Sequence, residues 1–89
     1  MAVFLISYDT HKQRNYEALY EGLEENDFVR VLESVWIGEL TNSHTEVRDW
    51  LRGLLDEDDS ILVIKLKPKH AKAWRHLSSK AEEILRTVV

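Results

Sequence analysis

Residues 28–40 read FVRVLESVWIGEL. Phe28 to Leu32 has the composition of one strand, and Val35 to Leu40 that of another. Only Glu33 and Ser34 separate them. The two runs therefore predict a tight hairpin, although its turn carries no glycine. Upstream, Ala2 to Tyr8 alternates Phe4, Ile6 and Tyr8 against Val3, Leu5 and Ser7. Both sets are largely apolar, so this strand is expected at the centre of a sheet, covered on both sides. Between it and the hairpin, Asn15 to Glu25 predicts a helix. Asn15 is its N-cap, and Tyr16, Leu19, Tyr20 and Leu23 fall at helical spacing.

Downstream of the hairpin, Ser43 with Glu46 three residues later forms a capping-box pattern. The helix it opens runs to about Leu55, with Val47, Trp50, Leu51, Leu54 and Leu55 on one face. Asp56 to Asp59, DEDD, is a charged loop. Ser60 to Leu66 is a fourth strand, apolar on both faces, and Pro68 stops it. From Lys69 to about Thr87 the pattern predicts a third helix, with Trp74, Leu77, Ala81, Ile84 and Val88 forming a seam. The order β-α-β-β-α-β plus a helix predicts an α/β (α+β) sandwich. It is the ferredoxin-like arrangement, a four-stranded antiparallel sheet with two helices on one face. Residues 1–89 form a single domain, with 1–67 as its core and 68–89 as the C-terminal helix.

A chain of 89 residues with no cysteine has a small core and no disulfide to supplement it. Two helices cover one sheet face; the other needs the third helix or a second copy, so a homodimer is expected. No run of the sequence is long enough to span a membrane, and without an export signal the expected location is cytoplasmic. Net charge is −4, but its distribution is uneven. Residues 1–64 carry 5 Lys/Arg against 14 Asp/Glu, whereas residues 65–89 carry 7 against 2. The basic tail either packs on an acidic body or meets phosphate.

The candidate chemistry begins where the first strand ends, in FLISYDTHKQRN, residues 4–15. Asp9 either caps a turn or supplies a carboxylate to a hard cation such as Mg²⁺, which needs few protein ligands. Dimerisation through the open sheet face would turn one carboxylate per chain into a pair. Behind it, His11 is a candidate general acid, and Lys12 and Arg14 are candidate phosphate contacts. Arg30 either pairs with an acidic neighbour or faces the groove. Ser34 reads as a turn former. The DEDD loop lacks the ligand spacing and glycine of a calcium loop and reads as a solvated turn.

Two stretches together carry a resemblance. ISYD, a strand ending in Tyr8-Asp9, is followed by RVLESVWIGELT, with Arg30, Val31, Ser34, Val35, Trp36, Gly38, Glu39 and Leu40 at matching positions. The pattern resembles the CRISPR-associated Cas-two family, and relatives described as SinR-like and VapD-like. The resemblance covers the chain to about Leu66. It implies a homodimer and a metal-dependent phosphodiesterase, an endonuclease on RNA or DNA, with Mg or Mn held by Asp9. It equally implies a non-catalytic adaptor that holds nucleic acid or bridges a protein partner. The sequence departs from the pattern at Leu32 and Ile37. It departs again in its tail, which reads as a helix where the family has a strand crossing to the partner chain. That departure points to the SinR-like branch.

On the predicted third helix, Lys72, Arg75, His76 and Lys80 fall on one face at i, i+3, i+4 and i+8. With Lys69 they make the best nucleic-acid surface in the chain. Trp74 beside them reads as a core anchor.

Overall fold

A strand that is apolar on both sides has to be sandwiched, and β1 (Ala2–Asp9) is. In the computed structural model, which describes residues 1–9, 16–67 and 69–89, β1 pairs antiparallel with β3 (Val35–Leu40) on one edge and β4 (Ser60–Leu66) on the other. β2 (Val29–Leu32) pairs with the far edge of β3, giving the order β2-β3-β1-β4. This is the antiparallel ferredoxin-like sheet that the hairpin implied. The turn at Glu33-Ser34 closes without glycine, and the ladder shifts register between Arg30 and Leu32. An irregularity of this kind adds local twist, which brings two strands around a turn that lacks a left-handed residue.

α1 (Glu17–Glu25) and α2 (His44–Arg52) cover one face. Phe4, Ile6, Tyr8 and Trp36 from the sheet meet Leu19 and Leu23 of α1, and Val47 and Leu51 of α2. The capping box at α2 forms as its sequence indicates. Ser43 Oγ accepts from the Glu46 N–H at 3.2 Å, and Glu46 Oε1 accepts from the Ser43 N–H at 2.9 Å. The Ser43 backbone bond, then its hydroxyl, hold the Glu46 carboxyl below its ordinary value. α2 ends at Arg52 rather than at Leu55, with Gly53 as its C-cap; Leu54 and Leu55 still pack on the core. Asn15, expected to cap α1, and Pro68, expected to stop β4, lie outside the described residues.

The other face is where the sequence reading needs correction. The predicted helix over 69–87 is only α3 (Ser79–Thr87). Ser78 starts it, its hydroxyl accepting from the Ala81 N–H at 3.2 Å. Before that, Lys69 (φ 67°) and His76 (φ 58°) are left-handed, a conformation that no right-handed helix accommodates. Residues 69–78 instead form a strap tied to the chain end. The Lys69 N–H and Lys72 Nζ both donate to the Val89 carbonyl, at 3.1 and 3.0 Å. Lys72, Arg75, His76 and Lys80 therefore share no helical face. The seam survives only inside α3, where Ile84 and Val88 join Val3, Ile37 and Val89 in a second cluster and Ala81 is fully buried. Trp74 is outside both clusters; its Nε1–H donates to Glu82 Oε2 at 2.8 Å, with the Arg86 guanidinium 5.4 Å from its ring. α3 leaves part of this face bare: Leu62 and Ile64 of β4 are 53% and 43% exposed.

Gly38 stands in β3 because Phe28 crosses it. A Cβ built there would lie 2.4 Å from the Phe28 ring, and both residues are buried. Gly38→Ala should therefore lower the stability to urea by about 1–3 kcal/mol. Pairing it with Phe28→Leu should recover part of that loss, since the ring is the obstacle.

Candidate functional site

The motif residues converge on one turn. Tyr8 is buried beneath α1, and burial pushes its phenol above the ordinary value, while the Trp36 indole pulls it partly back. Trp36 Nε1–H donates to Tyr8 Oη at 3.2 Å, and Tyr8 O–H donates to the Glu33 carbonyl at 3.5 Å. The Tyr8 N–H donates to the Ser34 carbonyl at 3.2 Å. Arg30 Nε donates to the same Glu33 carbonyl at 2.8 Å. Its guanidinium lies 4.5 Å from the Tyr20 ring and 5.4 Å from the Trp36 ring, and those two rings stack at 6.2 Å. Of the two expectations for Arg30, acidic pairing does not occur among the described residues: it stacks on aromatics and binds a turn carbonyl. Ser34 is the turn former it was read as. Arg30, Ser34 and Trp36 of the hairpin, together with the distant Tyr8, thus brace the end of β1 against the hairpin turn.

Asp9 is the next residue. It is exposed, it is the last rung of the β1–β4 ladder opposite Ser60, and its carboxylate makes no hydrogen bond or ion pair among the described residues. Strand alternation turns it away from Tyr8, toward the face that carries Leu62 and Ile64. A carboxylate in that position retains its oxygens for a cation. Among the described residues no three metal-capable side chains cluster.

The other predicted site residues divide into two groups. His11, Lys12 and Arg14 lie outside the described residues. Lys72, Arg75 and Lys80 lie on the strap and the first turn of α3. Lys72 is bound to the carbonyl of Val89, which packs against Val3 near the start of β1. The run of β1 from Val3 to Asp9 spans roughly 20 Å, so within one chain this basic group and the carboxylate are not one site.

The sequence reading missed a contact beside Asp9. The Tyr16 hydroxyl donates to Asp59, 3.2 Å from Oδ1 and 3.1 Å from Oδ2. Asp59 Oδ2 also accepts from the Asp56 N–H at 2.9 Å. The DEDD loop is therefore not uniformly solvated. The available signal was Asp56-x-x-Asp59, a spacing at which an aspartate closes its own turn.

A family model described as CRISPR associated protein Cas2 matches residues 1–85. No solved structure matches the chain.

Trp36→Phe removes the donor to Tyr8 and part of the surface on which Arg30 rests. It should destabilise the fold by about 1–3 kcal/mol in urea denaturation. It should also raise the Tyr8 phenol further, because the lost indole bond was the largest of the influences lowering it, ahead of Arg30. The folded protein favours the neutral phenol. Its contribution to stability is therefore present below the unfolded-state value of 10.0 and is lost as pH rises from there through the higher folded-state value.

Proposed function

The chain belongs to the CRISPR associated protein Cas2 family, the family that the Tyr8-Asp9 and Arg30–Thr41 stretches resemble, and on that premise we propose that it is a homodimeric phosphodiesterase. In this reading it cleaves RNA or DNA with Mg²⁺ or Mn²⁺ held by Asp9. The observation that carries the reading is the position of Asp9. It is exposed, its carboxylate makes no hydrogen bond or ion pair among the described residues, and it ends a strand whose preceding residue is fixed by hydrogen bonds. A hard cation accepts such a site, because one or two carboxylates suffice when waters and phosphate oxygens complete the shell. When bound, the cation would neutralise charge on the phosphoryl group and acidify a water. What the chain itself contributes is the carboxylate, its placement, and cations for the phosphate backbone.

Dimerisation through the face of Leu62 and Ile64 supports the same reading, for a second copy there would add a second Asp9 from the same surface. One further feature favours that copy: among the described residues β4 pairs on one edge only. The tail still departs from the family's crossing strand, since the strap at 69–78 is not a strand and leads into α3. Membership in the integrase-bridging or SinR-like branches, and any protein partner, rest on the resemblance alone.

A second reading, a dimer that holds nucleic acid without cutting it, is favoured by the strap. Lys69, Lys72 and Arg75 are exposed there, and Lys80 follows on α3. Binding of this kind would weaken steeply with salt.

The deciding experiment compares wild type with Asp9→Asn on RNA and double-stranded DNA, with Mg²⁺ or Mn²⁺ and with EDTA. The expected result is metal-dependent cleavage that falls on the order of 100-fold or more in the variant. Cleavage unchanged in a folded Asp9→Asn protein would remove the phosphodiesterase reading. Sedimentation over a concentration series tests the dimer; Leu62→Lys should shift it toward monomer.

A further inference from the structure

Asp9 occupies the last rung of a strand, a place where ladders fray. Something has to hold that rung for its carboxylate to stay in one position. On the hairpin side, the bonds from Tyr8 and Trp36 do this. On the β4 side, the structure provides a separate device. Asp9 faces Ser60, and Ser60 is preceded by Asp59. The Asp56–Asp59 turn is closed from both directions: the Asp59 N–H donates to the Asp56 carbonyl at 3.1 Å, and the Asp56 N–H donates to Asp59 Oδ2 at 2.9 Å. Tyr16 then ties this turn to the start of α1 through both Asp59 oxygens. Its ring is anchored, since it packs against the cluster beneath α1 and α2.

We infer that Tyr16 and Asp59 are positioning residues for Asp9. The contact spans 43 residues of sequence and joins the two elements that bracket Asp9, the start of β4 and the start of α1. A hydrogen bond to an ionised carboxylate is stronger than a neutral one, and a phenol anchored in the core holds it at little cost in side-chain entropy. Alternation places Asp59 on the helix side of the sheet and Asp9 on the opposite side, so the brace supports the rung from behind. The Asp59 oxygens are already occupied by Tyr16 and Asp56 donors, which suits a support rather than a ligand. Its charge also adds negative potential at the end of the sheet where a cation would be attracted.

This inference rests on the reading that Asp9 holds a divalent cation, and the test separates the two. Mn²⁺ alone is titrated into the full chain and followed by electron paramagnetic resonance, for wild type, Asp9→Asn, Tyr16→Phe and Asp59→Asn. Urea midpoints of all four are measured in parallel. The expected result is that Asp9→Asn abolishes binding, while Tyr16→Phe and Asp59→Asn weaken it by about 10-fold or more, as supports behind a ligand do. Tyr16→Phe removes only a hydroxyl, and its midpoint should stay close to wild type. A Tyr16→Phe/Asp59→Asn double variant, titrated alongside them, should bind no more weakly than the worse single one, because both changes act on the same contact. Loss of binding in Asp9→Asn with wild-type affinity in both Tyr16→Phe and Asp59→Asn overturns the positioning role and leaves Asp9 in place. Wild type that binds no Mn²⁺ overturns the reading of Asp9, and the positioning role with it.

Discussion

The buried bond between the Trp36 indole and the Tyr8 phenol is the contact on which the rest of this molecule depends. β1 is paired on both edges, buried under the helices on one face and only partly covered on the other, so its end is placed by what meets it there. The Trp36–Tyr8–Glu33 chain of donors and acceptors does so, joining the central strand to the one turn that the middle hairpin contains. Arg30 completes the arrangement by capping the same carbonyl from β2 and resting on Tyr20 and Trp36. A polar link inside a small core is costly to leave unsatisfied, which gives the turn a single position relative to β1. Asp9 inherits that position because it is one residue away.

Much of the architecture was legible because periodicity here is clean. The alternation in β1, the hairpin separated by Glu33-Ser34, and the Ser43–Glu46 cap each have a local physical cause, and each appears as read. The place of Asp9 at the end of β1 was legible from the same alternation. What was not legible depends on contacts distant in sequence. The spacing of Trp74, Leu77, Ala81, Ile84 and Val88 satisfies a helix, but spacing says nothing of backbone handedness at His76. It also does not reveal that Ser78 has a better use as a cap than as a mid-helix residue. The basic stripe inferred from that helix was an artefact of the same period. Tyr16 and Asp59 escaped notice for a related reason: each is an ordinary residue until the fold brings them together.

The two sheet faces divide the labour of the chain. The face under α1 and α2 is finished, with large side chains fully buried and the aromatic cluster closed over it. The other face is finished only where α3 and Val89 lie across Val3 and Ile37. It leaves Leu62 and Ile64 of the edge strand β4 open, on the side to which Asp9 turns. One surface of this thin sheet is thus closed over the core and the other is left partly open, in a chain of 89 residues.

The three tryptophans sit in three different surroundings: Trp36 in the sealed aromatic cluster, Trp50 half-buried on α2, and Trp74 on the strap beside the Glu82 carboxylate. The protein therefore carries its own optical reporters, one for each part of its architecture. Indole emission shifts with the polarity around the ring, so variants that each keep one of the three would follow the strap, the helical layer and the core without an attached label.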